Sequence, residues 1–131
     1  MNTHLKVLCL ESNNILDEGA IAIANTLKVN MTLKSLNIKD NCFQNKGLIA
    51  IVNALKTNTG LTSLDLPKNN IQNEGAVAIA NAMKMHTSIT SLFLEYNNNQ
   101  DEGAIAIANA LKTNTSMTSS YYEEKSAKPA F

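Results

Sequence analysis

Apolar and polar positions alternate along this chain in a rhythm that restarts every 28 residues. Leu5, Leu33, Leu61, Ile89 and Met117 mark the restarts. Counting each as position one, positions four and six are apolar too: Leu8 and Leu10, Leu36 and Ile38, Leu64 and Leu66, Leu92 and Leu94. Apolar residues two apart, with polar ones between, predict a short strand with one buried face. An asparagine follows three residues later, at Asn13, Asn41, Asn69 and Asn97. Two positions further on stand Ile15, Phe43 and Ile71, with Asn99 as a polar departure in the fourth unit.

The second half of each unit changes period. Apolar residues fall at i, i+3, i+4 and i+7: Ala20, Ile23, Ala24, Leu27; Leu48, Ile51, Val52, Leu55; Ala76, Ile79, Ala80, Met83; Ala104, Ile107, Ala108, Leu111. That spacing lines one side of a helix. Asp17, Asn45, Asn73 and Asp101 precede the stripes and are predicted to cap their own helices, since a short side-chain oxygen can accept a free first-turn N–H. Glu18, Glu74 and Glu102 follow where negative charge suits the helix dipole, with Lys46 as the exception. Lys28, Lys56, Lys84 and Lys112 stand at the opposite ends, where a cation suits it.

A strand–loop–helix unit this short cannot bury its own apolar face, so the units must stack. The expectation is an α/β fold: a right-handed βα solenoid with a parallel sheet on the concave side and helices on the convex side. Four repeats are predicted over residues 5–32, 33–60, 61–88 and 89–116, within one domain spanning 1–116. Residues 117–131 begin a fifth unit that fails, because Ser120 occupies the expected Leu slot. The stretch from Glu123 onward has no periodicity and is predicted to be disordered.

The pattern L-x-x-L-x-L-x-x-N, followed by Asp-Glu-Gly-Ala and a helix closing near Ala-Asn-Ala-Leu-Lys, resembles the ribonuclease-inhibitor subfamily of leucine-rich repeats, which includes the arrays of NOD-like receptors and of Ran GTPase-activating protein. The resemblance covers residues 5–116. It implies a protein-interaction scaffold without catalytic residues or cofactor. It also implies that Asn13, Asn41, Asn69 and Asn97 form a structural ladder of amides at the bends of successive coils. Such a fold hosts many partners, so the resemblance says little about which one is bound.

Composition narrows the partner class. Eleven Lys and Arg balance eleven acidic residues, and every base is Lys. A neutral chain without a basic run gives no electrostatic reason to expect nucleic acid or an anionic membrane. Absent Arg removes the usual bidentate reader of phosphate and guanine. No apolar run approaches membrane-spanning length, and the opening residues lack a secretory pattern, so the expected location is cytoplasmic. On that expectation the sequons at Asn30 and Asn114 are chance matches. Cys9 and Cys42 are too few for a disulfide framework and are expected to be free thiols.

No catalytic, metal or cofactor-binding residue is predicted. His4 and His86 lie apart before strands, with no Cys or Asp at metal spacing. Gly19, Gly47, Gly75 and Gly103 are single glycines at helix starts, outside any phosphate-loop motif, and suggest close packing.

What varies between units is the outward row of each strand: Val7, Cys9, Glu11 and Ser12; Ser35, Asn37, Lys39 and Asp40; Ser63, Asp65, Pro67 and Lys68; Ser91, Phe93, Glu95 and Tyr96. The equivalent helix positions barely change. From this row the partner-binding candidates are Asn37, Lys39, Asp65, Lys68, Phe93, Glu95 and Tyr96. Phe93 and Tyr96 are aromatic anchors of the kind that dominate interfaces. The leading expectation is therefore a protein–protein interaction module that binds on its concave face. Two rivals stand beside it: a GTPase-activating-type regulator of a small GTPase, and a truncated or structural repeat fragment without independent function. The repeat ends also admit end-to-end self-association.

Overall fold

The computed structural model describes residues 1–66, 72–85, 88–97, 101–114 and 119–124; for 95–97 and 119–124 it describes the backbone alone. Five strands and four helices alternate: β1 (Val7–Cys9), α1 (Asp17–Leu27), β2 (Ser35–Asn37), α2 (Asn45–Leu55), β3 (Ser63–Asp65), α3 (Asn73–Lys84), β4 (Ser91–Asn97), α4 (Asp101–Leu111) and β5 (Ser119–Glu124). The strands form one parallel sheet in chain order. The register repeats the sequence period, so Leu8, Leu36 and Leu64 pair in line, and Leu64 pairs with Leu92.

That register stacks like on like. Leu36, Leu64 and Leu92 are each at most 2% exposed, and Ile38, Leu66 and Leu94 are fully buried. Across from them sit Leu48, Ile51, Ala76 and Ile79 of the helices, with Phe43 filling the bend of the second coil. The core is a continuous column between sheet and helix layer, as a stack of units that cannot fold singly requires. A cavity of about 20 Å³ remains where the second, third and fourth coils meet, lined by Val52, Leu64, Ile79, Met83 and Leu92 among others. It is wholly apolar and about the size of one water, which would find no polar partner there.

Two expectations need correction. Asp17, Asn45 and Asn73 do not cap their own helices; each is the first helical residue, and the preceding Leu16, Gln44 and Gln72 take the cap position without a side-chain bond. Their side chains instead reach the next coil. Asp17 Oδ1 accepts from Gln44 N at 2.8 Å and Gly47 N at 2.9 Å. Asn45 Oδ1 accepts from Gln72 N at 3.3 Å, and Asn73 Oδ1 from Gly103 N at 3.1 Å. The free N–H groups of one helix are thus satisfied by its neighbour. This contact explains Gly47: a Cβ there would lie 2.7 Å from Asp17 Oδ1 and 2.8 Å from the Ala20 methyl.

The second correction concerns the tail. Residues 119–124 continue the sheet as β5, paired parallel to β4, with Ser120 in line with Leu92. The open edge of β4 offers unpaired backbone groups that accept a strand whatever its side chains. Glu123 and Glu124 therefore lie in a strand and not in a disordered tail; residues 125–131 fall outside the described ones.

Candidate interaction surface

Strand alternation sets the surface. In β2, β3 and β4, Leu36, Leu64 and Leu92 point into the core, and the residues on either side are half-buried on the opposite, concave face. Two rows result. One carries Val7, Ser35, Ser63 and Ser91 in register; the other carries Cys9, Asn37, Asp65 and Phe93. The first row is nearly constant and small. The second holds a thiol, an amide, a carboxylate and an aromatic ring on four successive strands.

Below these rows the first two coils form a polar cluster. Lys39 Nζ lies 3.5 Å from Glu11 Oε1, and Asn37 Nδ2 donates to Glu11 Oε2 at 3.4 Å. Asn37 Oδ1 accepts from Lys39 N at 3.1 Å, which fixes the amide orientation. Ser12 Oγ donates to Asp40 Oδ2 at 2.7 Å. Ser12 and Asp40 occupy the same repeat position, and both have left-handed backbones, with φ of 60° and 58°. So Asn37 and Lys39 are brought together through Glu11, a residue the sequence did not single out. Asp65 and Phe93 form a separate neighbouring pair on β3 and β4. Lys68 lies outside the described residues. Glu95 and Tyr96 belong to β4, and their side chains also lie outside what is described.

Beneath the face the asparagine column does its work on the backbone. Asn41 is 5% exposed. Its Oδ1 accepts from Asn13 N at 3.0 Å and Ile15 N at 2.9 Å, both in the preceding coil. Its Nδ2 donates to Leu10 O, Ile38 O and Lys39 O at 3.0, 2.9 and 3.2 Å. An amide suits this place because it both donates and accepts, so one side chain ties two coils. Asn13 is exposed, and its Nδ2 donates to Glu11 O at 3.0 Å. Asn69 and the side chain of Asn97 lie outside the described residues.

A second asparagine column, missed in the sequence, ties the opposite turn. Asn58 is 2% exposed; its Nδ2 donates to Leu27 O and Asn30 O at 2.7 and 2.8 Å, and its Oδ1 accepts from Gly60 N and Leu61 N. Asn30 Nδ2 donates to Asn2 O at 2.9 Å, and Asn114 Nδ2 donates to Met83 O at 2.7 Å. The signal was present at positions 2, 30, 58 and 114, and His86 interrupts it. Both cysteines are free and exposed. Among the described residues no three His, Cys, Asp or Glu converge as a metal site, and no helix is long and apolar enough to cross a membrane.

Comparison with known proteins agrees with this architecture. Comparison with curated protein sequences gives no match. Among solved structures, leiomodin-1 actin-binding site 2 superposes with a TM-score of 0.84 at 24% identity, over 92% of this chain and 72% of that one. The likeness at that identity speaks for the fold. The sequence profile described as Leucine Rich repeat matches residues 2–24, 29–52, 57–80 and 86–108, most of the chain and once per coil. The chain belongs to the leucine-rich repeat family.

Proposed function

We propose that this chain is a binding module whose concave sheet face holds a protein partner. The observation that carries the proposal is the contrast within each strand. The core-facing position is Leu in β1 through β4, whereas the outward position in register runs Cys9, Asn37, Asp65, Phe93. A stack needs the first set for stability and is indifferent to the second. Aromatic and charged groups on a rigid, concave surface are what a protein interface uses. The ribonuclease-inhibitor-like subfamily and a cytoplasmic setting, where protein partners are abundant and thiols stay reduced, fit the same reading.

The test is site-specific cross-linking. A photoreactive side chain is placed at position 37, 65 or 93 on the concave face, or at exposed Lys46 or Glu102 on the helices. Monomeric actin is a concrete first probe, because the solved neighbour is named for an actin-binding site. Cross-links concentrated at 37, 65 and 93, with those from 37 and 65 weakened by Phe93→Ala with Tyr96→Ala, are the expected result. Cross-links that form equally from positions 46 and 102 would overturn the concave-face assignment.

A further inference from the structure

We propose that the edge of the stack where helices end and strands begin docks an extended, acidic and apolar segment of a partner protein. This goes beyond the concave-face reading and does not rest on it.

The chain is neutral as a whole, yet stacking sorts its charges. All eleven acidic residues lie between the second half of a strand and the first turn of a helix, so residues 19–38, 41–64, 75–94 and 103–122 contain none. Six of the eleven lysines stand on the opposite edge. Lys28, Lys56, Lys84 and Lys112 lie at the ends of the four helices, and Lys6 and Lys34 precede β1 and β2. All six are exposed. Among the described residues none of them pairs with an acid; the ion pair Lys39–Glu11 belongs to the acidic edge.

The helix dipole accounts for a lysine at a helix end but not for Lys6 and Lys34, which stand at strands. Lys34 N donates to Lys6 O at 2.8 Å, so two like charges sit on adjacent strands about 4.8 Å apart. Like charges so placed cost stability until an anion joins them. The turn between the two lysine rows is preformed: Asn58 Nδ2 ties Leu27 O and Asn30 O, and Val29 N donates to Thr26 O at 3.1 Å. Apolar side chains stand among the lysines. Val29 follows Lys28 and is 63% exposed, Met85 follows Lys84 and is 56% exposed, and Met31 is 37% exposed. Neighbouring helices pack about 8–10 Å apart, which sets the pitch of the longer lysine row. An extended polyproline-type segment advances about 9 Å per three residues, so an acid at every third residue keeps step with that row. The edge has no Arg and no aromatic residue, the groups that grip phosphates, stack on bases or anchor in a membrane interface. That favours a protein segment over nucleic acid or lipid.

The experiment is an NMR titration of the full chain at low salt with a peptide of four Glu-Leu-Pro triplets and with its neutral Gln-Leu-Pro counterpart. The glutamate peptide is expected to shift the amides of residues 28–29, 56–57, 84–85 and 112–113, and added salt should weaken it. The glutamine peptide should leave them in place. Lys56→Gln should weaken binding about two-fold, and Lys28→Gln, Lys56→Gln and Lys84→Gln together about eight-fold, roughly two-fold for each exposed ion pair. Lys46→Gln, at the other end of α2 and with the same change in net charge, should not. Equal shifts with both peptides, or equal losses from Lys46→Gln and Lys56→Gln, would overturn the proposal. So would phosphatidylserine vesicles, duplex DNA or a second copy of the chain occupying this edge where the glutamate peptide does not. Cross-linking from the concave face is independent of every one of these outcomes.

Discussion

The first and second coils carry nearly the same pattern and live in different environments. Leu5 is 44% exposed, and its counterpart Leu33 is 7% exposed. Ile15 is half-buried where Phe43 is fully buried. Asn13 is exposed where Asn41 is locked by five hydrogen bonds. A Cβ on Gly19 would meet only Ile15 of its own coil, whereas one on Gly47 would strike Asp17 and Ala20 of the coil before. In three of these four pairs the residue type is the same and cannot separate them. A coil on each side does, and the second coil has two. Stability in this molecule therefore resides in the contacts between neighbours, which is the energetic signature of a one-dimensional stack.

That contrast can be broken or sharpened by paired substitutions read in urea unfolding. The largest effect is expected from Leu36→Ala, about 3 kcal/mol for a large side chain removed from a sealed core. Leu8→Ala, at the same register position in a half-buried coil, should cost about 1 kcal/mol. Equal losses would mean that burial by the neighbouring coil is not what matters. Next comes Asn41→Ala, expected to cost about 2 kcal/mol because backbone groups of two coils lose their partner. Asn13→Ala should cost a few tenths of that, since water reaches the groups it serves.

These pairs also show what the sequence could and could not reveal. The 28-residue period, the strand alternation and the helix stripe were legible because they concern residues that share an element. Asp17 was misread because the cap rule looks at a residue's own helix. The groups it serves, Gln44 N and Gly47 N, are 27 and 30 residues away and become near only after stacking. The Asn30 and Asn58 column was obscured by His86 in the same slot. β5 was missed because Ser120 breaks the apolar pattern, although a strand on an open edge is held chiefly by its backbone. On the concave face the varied positions were readable as a list. Their division into a Glu11–Lys39–Asn37 cluster and an Asp65–Phe93 pair required the register.

Smaller effects follow the same logic. Asp17→Ala should cost about 1 kcal/mol, the ordinary worth of a helix cap, with the weakened helix being α2 and not α1. Helix-resolved hydrogen exchange distinguishes the two, and a loss confined to α1 would restore the local-cap reading. Smallest of all is the Glu11–Lys39 pair, with both side chains about a third exposed. Lys39→Met should change stability by at most about 0.5 kcal/mol. A larger loss would show that the cluster holds the first two coils together in addition to decorating the face.

The most direct test of the stacking account is residue-resolved hydrogen exchange on Asn41→Ala. The amides of Asn13 and Ile15 donate to Asn41 Oδ1 from the preceding coil. The expected result is faster exchange at residues 13 and 15, far away in sequence, together with the turn at residues 38–41. Faster exchange confined to residues 38–41, with 13 and 15 unchanged, would contradict the claim that each coil is held in place by its neighbour.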